Sequence, residues 1–145
     1  MRSLRSARAL AGFILLAAFA AFAPAGATER DVPAEFIGDW VPADASCAST
    51  IRLRVAPRTV TLINGSDAQQ FGHLDICFSC EGGARYAGIV VWLLPEFSSK
   101  GRGPFRVRFN AGEERGVAIV EFEKADLRQR FPLHKMKLHR CTRAA

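Results

Sequence analysis

The sequence predicts an all-β fold: a single small antiparallel barrel or sandwich of about 7–8 strands, stapled by disulfides. Three observations predict it. Apolar and polar residues alternate over short segments, the period-two signature of half-buried strands. Turn residues interrupt the chain at roughly ten-residue spacing, as in sandwiches and up-and-down barrels. Four cysteines sit in a chain that opens on an export signal, where thiols pair.

The signal occupies residues 1–27. Arg2, Arg5 and Arg8 form a positive start. Ala9 to Phe22 is apolar and free of charge, and Ala25-Gly26-Ala27 supplies the small residues of a cleavage site. The apolar stretch is too short to cross a bilayer core of about 30 Å as a helix. No cysteine follows the cleavage site to accept a lipid, so the sequence reads as a periplasmic or secreted protein without a membrane anchor. Residues 28–145 then suit one β domain with its own core. Three of the 20 basic side chains lie in the signal, leaving 17 against 14 acids, a net +3 for that domain. So mild an excess gives no reason to expect nucleic acid as a partner.

The strands follow in order. Thr28 to Glu35 is polar and reads as a loose arm. Phe36 to Trp40 opens the apolar pattern. Ile51, Leu53 and Val55 alternate with Arg52 and Arg54. Val60 and Leu62 alternate with Thr59, Thr61 and Ile63, and Asn64-Gly65 signals a hairpin because both residues tolerate positive φ. Leu74, Ile76 and Phe78 alternate with Asp75, Cys77 and Ser79. Tyr86 to Leu94 is apolar on both faces, as in a central strand covered on each side. Phe105, Val107 and Phe109 alternate with Arg106, Arg108 and Asn110. Val117 to Phe122 makes another strand, and Met136 and Leu138 a last one. A helix is expected only at Glu123 to Arg130, before Pro132.

The Phe36-Ile37-Gly38-Asp39-Trp40 segment, with a Gly-x-Trp on the first strand, resembles the first strand of the calycin-like small barrels. These include lipocalins, avidins and small periplasmic metalloprotease inhibitors. The resemblance implies that Trp40 plugs one end of a barrel and that Gly38 lets the backbone pass beside it. It also implies a binding role, toward a small apolar ligand or an exported protease. In the inhibitor version the arm Thr28 to Glu35 would enter the protease cleft. In the ligand version the barrel must be hollow. Without the resemblance, Trp40 is a core aromatic of any β fold.

Four cysteines allow three pairings. If the first and last strands are neighbours, Cys47–Cys141 would lock the barrel's closure, worth on the order of 4 kcal/mol in the chain-entropy model. Cys77 and Cys80 would then pair across Phe78-Ser79. The alternative staples Cys47 and Cys141 separately onto Cys77 and Cys80. The Cys-x-x-Cys also admits a thiol–disulfide redox reading. A helix N-terminus after the first thiol would favour it, but Glu81-Gly82-Gly83 follows instead. A metal reading combines His73, Cys77 and Cys80, one ligand short of a four-coordinate site.

No Gly-x-Ser-x-Gly elbow is present, and the paired acids Glu113-Glu114 and Glu121/Glu123 fall in a turn and on a solvated face. His134 and His139 are expected on opposite faces of the last strand. The sequence therefore reads as a non-enzymatic binding protein that requires no cofactor. Arg52, Arg54, Arg106, Arg108, Lys135 and Lys137 would form a basic stripe if their strands are neighbours. Equally, they are the polar outward residues every strand needs, and Glu121 and Glu123 could neutralise Arg106 and Arg108 across adjacent strands. Lys100 to Pro104 is a basic loop, either a recognition loop or a plain connection.

Overall fold

The structure, a computed structural model, describes residues 30–98 and 101–141. The signal reading of residues 1–27, the start of the arm and Lys100 lie outside the described residues. Nine antiparallel strands form one sheet: β1 (Gly38–Pro42), β2 (Ile51–Val55), β3 (Val60–Asn64), β4 (Asp67–Phe71), β5 (Leu74–Cys77), β6 (Val91–Pro95), β7 (Phe105–Phe109), β8 (Val117–Phe122) and β9 (Lys137–Arg140). Their spatial order is β4-β3-β2-β1-β9-β8-β7-β6-β5. Sequential neighbours pair except β4 and β5, and β1 also pairs with β9, so the sheet curls into a nearly closed barrel. The seam lies between β4 and β5. Only Gly72 and His73 join them, and His73 turns the corner at φ 47°.

The count is nine rather than 7–8 because β4, Asp67-Ala-Gln-Gln-Phe71, carries almost none of the branched residues that mark strands. It forms because the predicted hairpin supplies it. Gly65 takes φ 60°, and Asn64 faces Asp67 across the turn. Two other boundaries also move. The strand expected over Tyr86 to Leu94 forms only from Val91, and Met136 lies in the turn before β9. The one α-helix among the described residues, α1 (Ala125–Arg130), falls inside the predicted stretch. Among the described residues no helix is long and apolar enough to cross a membrane.

The inward face of each strand packs one core. Trp40, Leu53, Leu62, Leu93, Phe105, Val107, Phe109, Val120, Phe122 and Leu138 are all essentially inaccessible. At one end the 3-10 turn Ala34–Phe36 lays Phe36 on Phe109, stacked at 4.4 Å between centroids. The Trp40 indole tilts onto the same Phe109 ring at 5.2 Å, and its Nε1–H donates to the Phe36 carbonyl at 2.9 Å. At the other end α1 and the chain after it insert Leu127, Phe131 and Leu133. Arg130 holds that lid to the β3–β4 hairpin, donating to both Asp67 carboxylate oxygens while Asn64 donates to the Arg130 carbonyl.

Two expectations about the first strand need refinement. Gly38 is required for its backbone, at φ 139°, rather than for space, since a Cβ there would make only ordinary contact with Arg140. The arm is not loose over its described length. Val32 is buried, its N–H donates to the Pro57 carbonyl at 2.8 Å, and Asp31 pairs with Arg58 at 2.7 Å.

Candidate functional site

The sequence alternation of β6 puts Val91 and Leu93 in the core and Trp92 and Leu94 on the outer face, where they are only half covered. Beyond Leu94 the chain turns at Glu96, and Phe97 stands 45% exposed. Past residue 101 the chain returns beside it through Arg102 and Gly103. These residues, with Cys80, Phe105, Arg106 and Glu123, line a pocket of about 260 Å³. Its lining is mostly apolar. Gly103 is part of the wall by necessity, because a Cβ there would overlap the Pro95 carbonyl oxygen. Phe78 is another exposed aromatic, 50% accessible, in the adjacent Cys77 to Cys80 turn.

A polar network holds the pocket's floor. Arg106 stacks over the Trp92 ring at 4.9 Å and ion-pairs with Glu121, while reaching Glu123 at 3.8 Å. Arg108 meets Glu121 at 3.2 Å and Glu81 at 3.7 Å. The Trp92 Nε1–H donates to Glu81 at 2.9 Å, which fixes the indole plane. Three carboxylates thus surround two guanidiniums. The strand register makes this possible, since Arg106 faces Glu121 and Arg108 faces Trp92.

The six cations proposed as a stripe are not neighbours. Three strands, β1, β9 and β8, separate β2 from β7. Arg52 and Arg54 both pair with Asp39, at 3.2 and 2.7 Å, and the Arg54 and Arg52 hydrogen bonds hold that carboxyl below its ordinary value. Lys137 meets Glu114 at 3.3 Å. Lys135 lies in the turn before β9, at φ 59°, not on a strand face. Arg52, Arg54, Arg106, Arg108 and Lys137 are therefore local partners of acids, and the stripe gives way to the neutralised reading.

The cysteines form Cys47–Cys141 and Cys77–Cys80, each with Cα atoms 5.6 Å apart, within the normal span. The first joins the β1–β2 connection to the residue after β9, across the β1–β9 pair. The metal set His73, Cys77 and Cys80 does not assemble: both cysteines are consumed in the disulfide, and among the described residues these three do not converge on one point. No long helix follows Cys80 either. Gly82 and Gly83 both take positive φ, and a single 3-10 turn at Gly83–Arg85 leads into a loop. The redox reading thus lacks the helix dipole that lowers a thiol pKa.

His134 is not on the last strand. It lies before β9, beside β8, and its Nδ1 accepts the Phe122 N–H at 3.0 Å. Burial, with Arg128 and Lys135 nearby, lowers its pKa from the ordinary 6.5. The folded imidazole thus resists the proton that the unfolded chain accepts. Stability is full above about pH 6.5 and declines as pH falls below it, until the folded imidazole titrates as well. Urea midpoints are expected to drop from pH 7 to pH 5, and by less in His134→Asn, whose amide oxygen can accept the same N–H. Identical slopes in the two proteins would contradict this.

Of the residues singled out from sequence, Cys80, Arg102, Gly103 and Arg106 come together at the pocket. Gly38 and Trp40 lie in the barrel core. Trp92, Leu94 and Phe97 were passed over, although the apolar character of both faces of Tyr86 to Leu94 was the available signal. What the fold and site define is a nearly closed antiparallel barrel with a packed interior and an apolar pocket on its outer wall. Comparison with protein-family models, curated proteins and solved structures returned no match.

Proposed function

We propose that this is an exported, non-enzymatic binding protein of the calycin-like kind, periplasmic or secreted, which takes an apolar group of its partner into the outer pocket. The carrying observation is the pocket itself, with Trp92 and Leu94 half covered and Phe97 exposed on an otherwise ion-paired wall. Exposed aromatics beside a fixed indole are the usual anchors of a protein interface. The interior holds ten or more closely packed apolar side chains, which favours the outer wall over the barrel mouth as the binding place. A protein partner such as an exported protease fits this reading better than a small molecule swallowed by the barrel. The pinning of Val32 also favours the pocket over the N-terminal arm as the contact.

The test titrates 1-anilinonaphthalene-8-sulfonate into the mature protein and follows the dye's fluorescence. One site is expected, lost in Phe97→Asp and weakened in Gly103→Ala, with both variants keeping their far-ultraviolet spectrum. Unchanged binding in Phe97→Asp would remove the pocket from the reading.

A thiol–disulfide role is the second reading, favoured by one observation: Cys80 lines the same pocket. It requires Cys77–Cys80 to open at mild reductant while Cys47–Cys141 stays closed. Simultaneous opening would end it.

A further inference from the structure

Away from the pocket, His139 on β9 and Cys141 just beyond the strand are two residues apart where the ladder to β1 continues, so both side chains leave the same face. The Cys141 N–H donates to the Asp39 carbonyl at 2.7 Å, which carries the β1–β9 ladder up to the cysteine. The β1–β2 connection brings Cys47 alongside. The Cys47 and Cys141 sulfurs and a ring nitrogen of His139 all lie within 4.8 Å of one another. Two metal–ligand bonds of about 2.0–2.3 Å at a tetrahedral angle hold ligand atoms about 3.5 Å apart, and a cysteine released from its disulfide reaches that spacing by side-chain rotation.

We propose that Cys47, Cys141 and His139 form a zinc site whenever the Cys47–Cys141 bond is reduced, so that the barrel's closure carries either a disulfide or a metal staple. Two thiolates and an imidazole are the ligand types a borderline-soft cation such as Zn²⁺ selects, and a water completes the fourth position. The steps balance. A dithiol gives two electrons and two protons to the disulfide, producing two protein thiols and its own cyclic disulfide. Zn²⁺ then replaces the two thiol protons, which leave to solvent. The metal would hold the β1–β2 connection to the end of β9, as the covalent bond does.

The test uses the mature chain carrying Cys77→Ala and Cys80→Ala, so that one disulfide remains. It is opened with a phosphine, which is then removed under argon. Zn²⁺ is titrated against a chromophoric chelator, and Co²⁺ reports thiolate ligation by its charge-transfer band. The oxidised chain is expected to bind no Zn²⁺ and the reduced chain one equivalent. His139→Ala is expected to weaken binding roughly tenfold or more, since even indirect supports of a metal site are worth that much. Should the reduced chain lose its β spectrum, Zn²⁺ is expected to restore it. Absence of stoichiometric uptake, failure to restore the fold, or equal affinity in His139→Ala would each overturn the proposal.

Discussion

Trp40→Ala is expected to cost about 3–5 kcal/mol of unfolding free energy, enough to leave the domain marginal. The side chain is 1% accessible and fills the end of the barrel against Phe109, so its removal loses apolar burial and leaves a cavity. Collapse cannot fill that space, because Phe36 and Phe109 are already stacked on each other. The indole also supplies the donor for the Phe36 carbonyl, so the 3-10 turn loses its tether. Trp40→Phe separates the two contributions. It restores most of the packing and leaves the buried carbonyl unpaired, at a cost of about 1–3 kcal/mol. Urea denaturation at fixed pH measures both. A cost below about 1 kcal/mol for Trp40→Ala would show that this end of the barrel does not depend on the indole.

The second large effect belongs to the barrel's staple. Cys47→Ala with Cys141→Ala is expected to lose about 4 kcal/mol, because the bond closes a loop between residues 94 apart in sequence. Removing Cys77 and Cys80 instead is expected to cost about 2 kcal/mol by the same relation, since their separation is 3. The loop-length ranking is the checkable content. The β1–β9 ladder and the Cys141 N–H to Asp39 bond remain in the first variant, so the sheet should keep its topology while its midpoint falls. Equal losses in the two double variants would mean that native-state contacts, not chain entropy, set the contribution of these bonds.

Much of the barrel was legible in the chain because local rules govern it. The alternation of β2, β3, β7 and β8 follows from one face meeting the core and the other meeting water. The hairpin signalled by Asn64-Gly65 forms with positive φ at Gly65 and Asn64 ending β3, and Pro132 marked the end of α1. The favoured cysteine pairing followed from one topological idea, that first and last strands meet in a closed sheet, which β1–β9 pairing bears out. β4 escaped notice because Asp67, Ala68, Gln69 and Gln70 have no strand propensity of their own. They pair because the turn delivers them to β3 and because Arg130 binds Asp67 and Gln69 from across the barrel end.

The candidate site shows where local reading stops. The apolar run before Leu94 was seen, but two-faced hydrophobicity has two causes, a second covering layer or an exposed docking surface, and period alone does not separate them. Likewise six cations on three strands looked like a stripe until strand order placed β1, β9 and β8 between β2 and β7.

By itself, then, the sequence determined the all-β class, the β3–β4 hairpin turn, the aromatic core with Trp40 in it, and the presence of two cysteine pairs. Each depends on interactions a few residues apart or on composition. Only the tertiary structure decided which charges meet, that the barrel interior is filled, that Val32 is pinned, and that Cys80, Trp92, Phe97 and Arg102 share a pocket. It also brought Cys47 beside His139 and Cys141. These facts depend on which strands are neighbours, and strand order is set by the closure of the whole sheet rather than by any one segment.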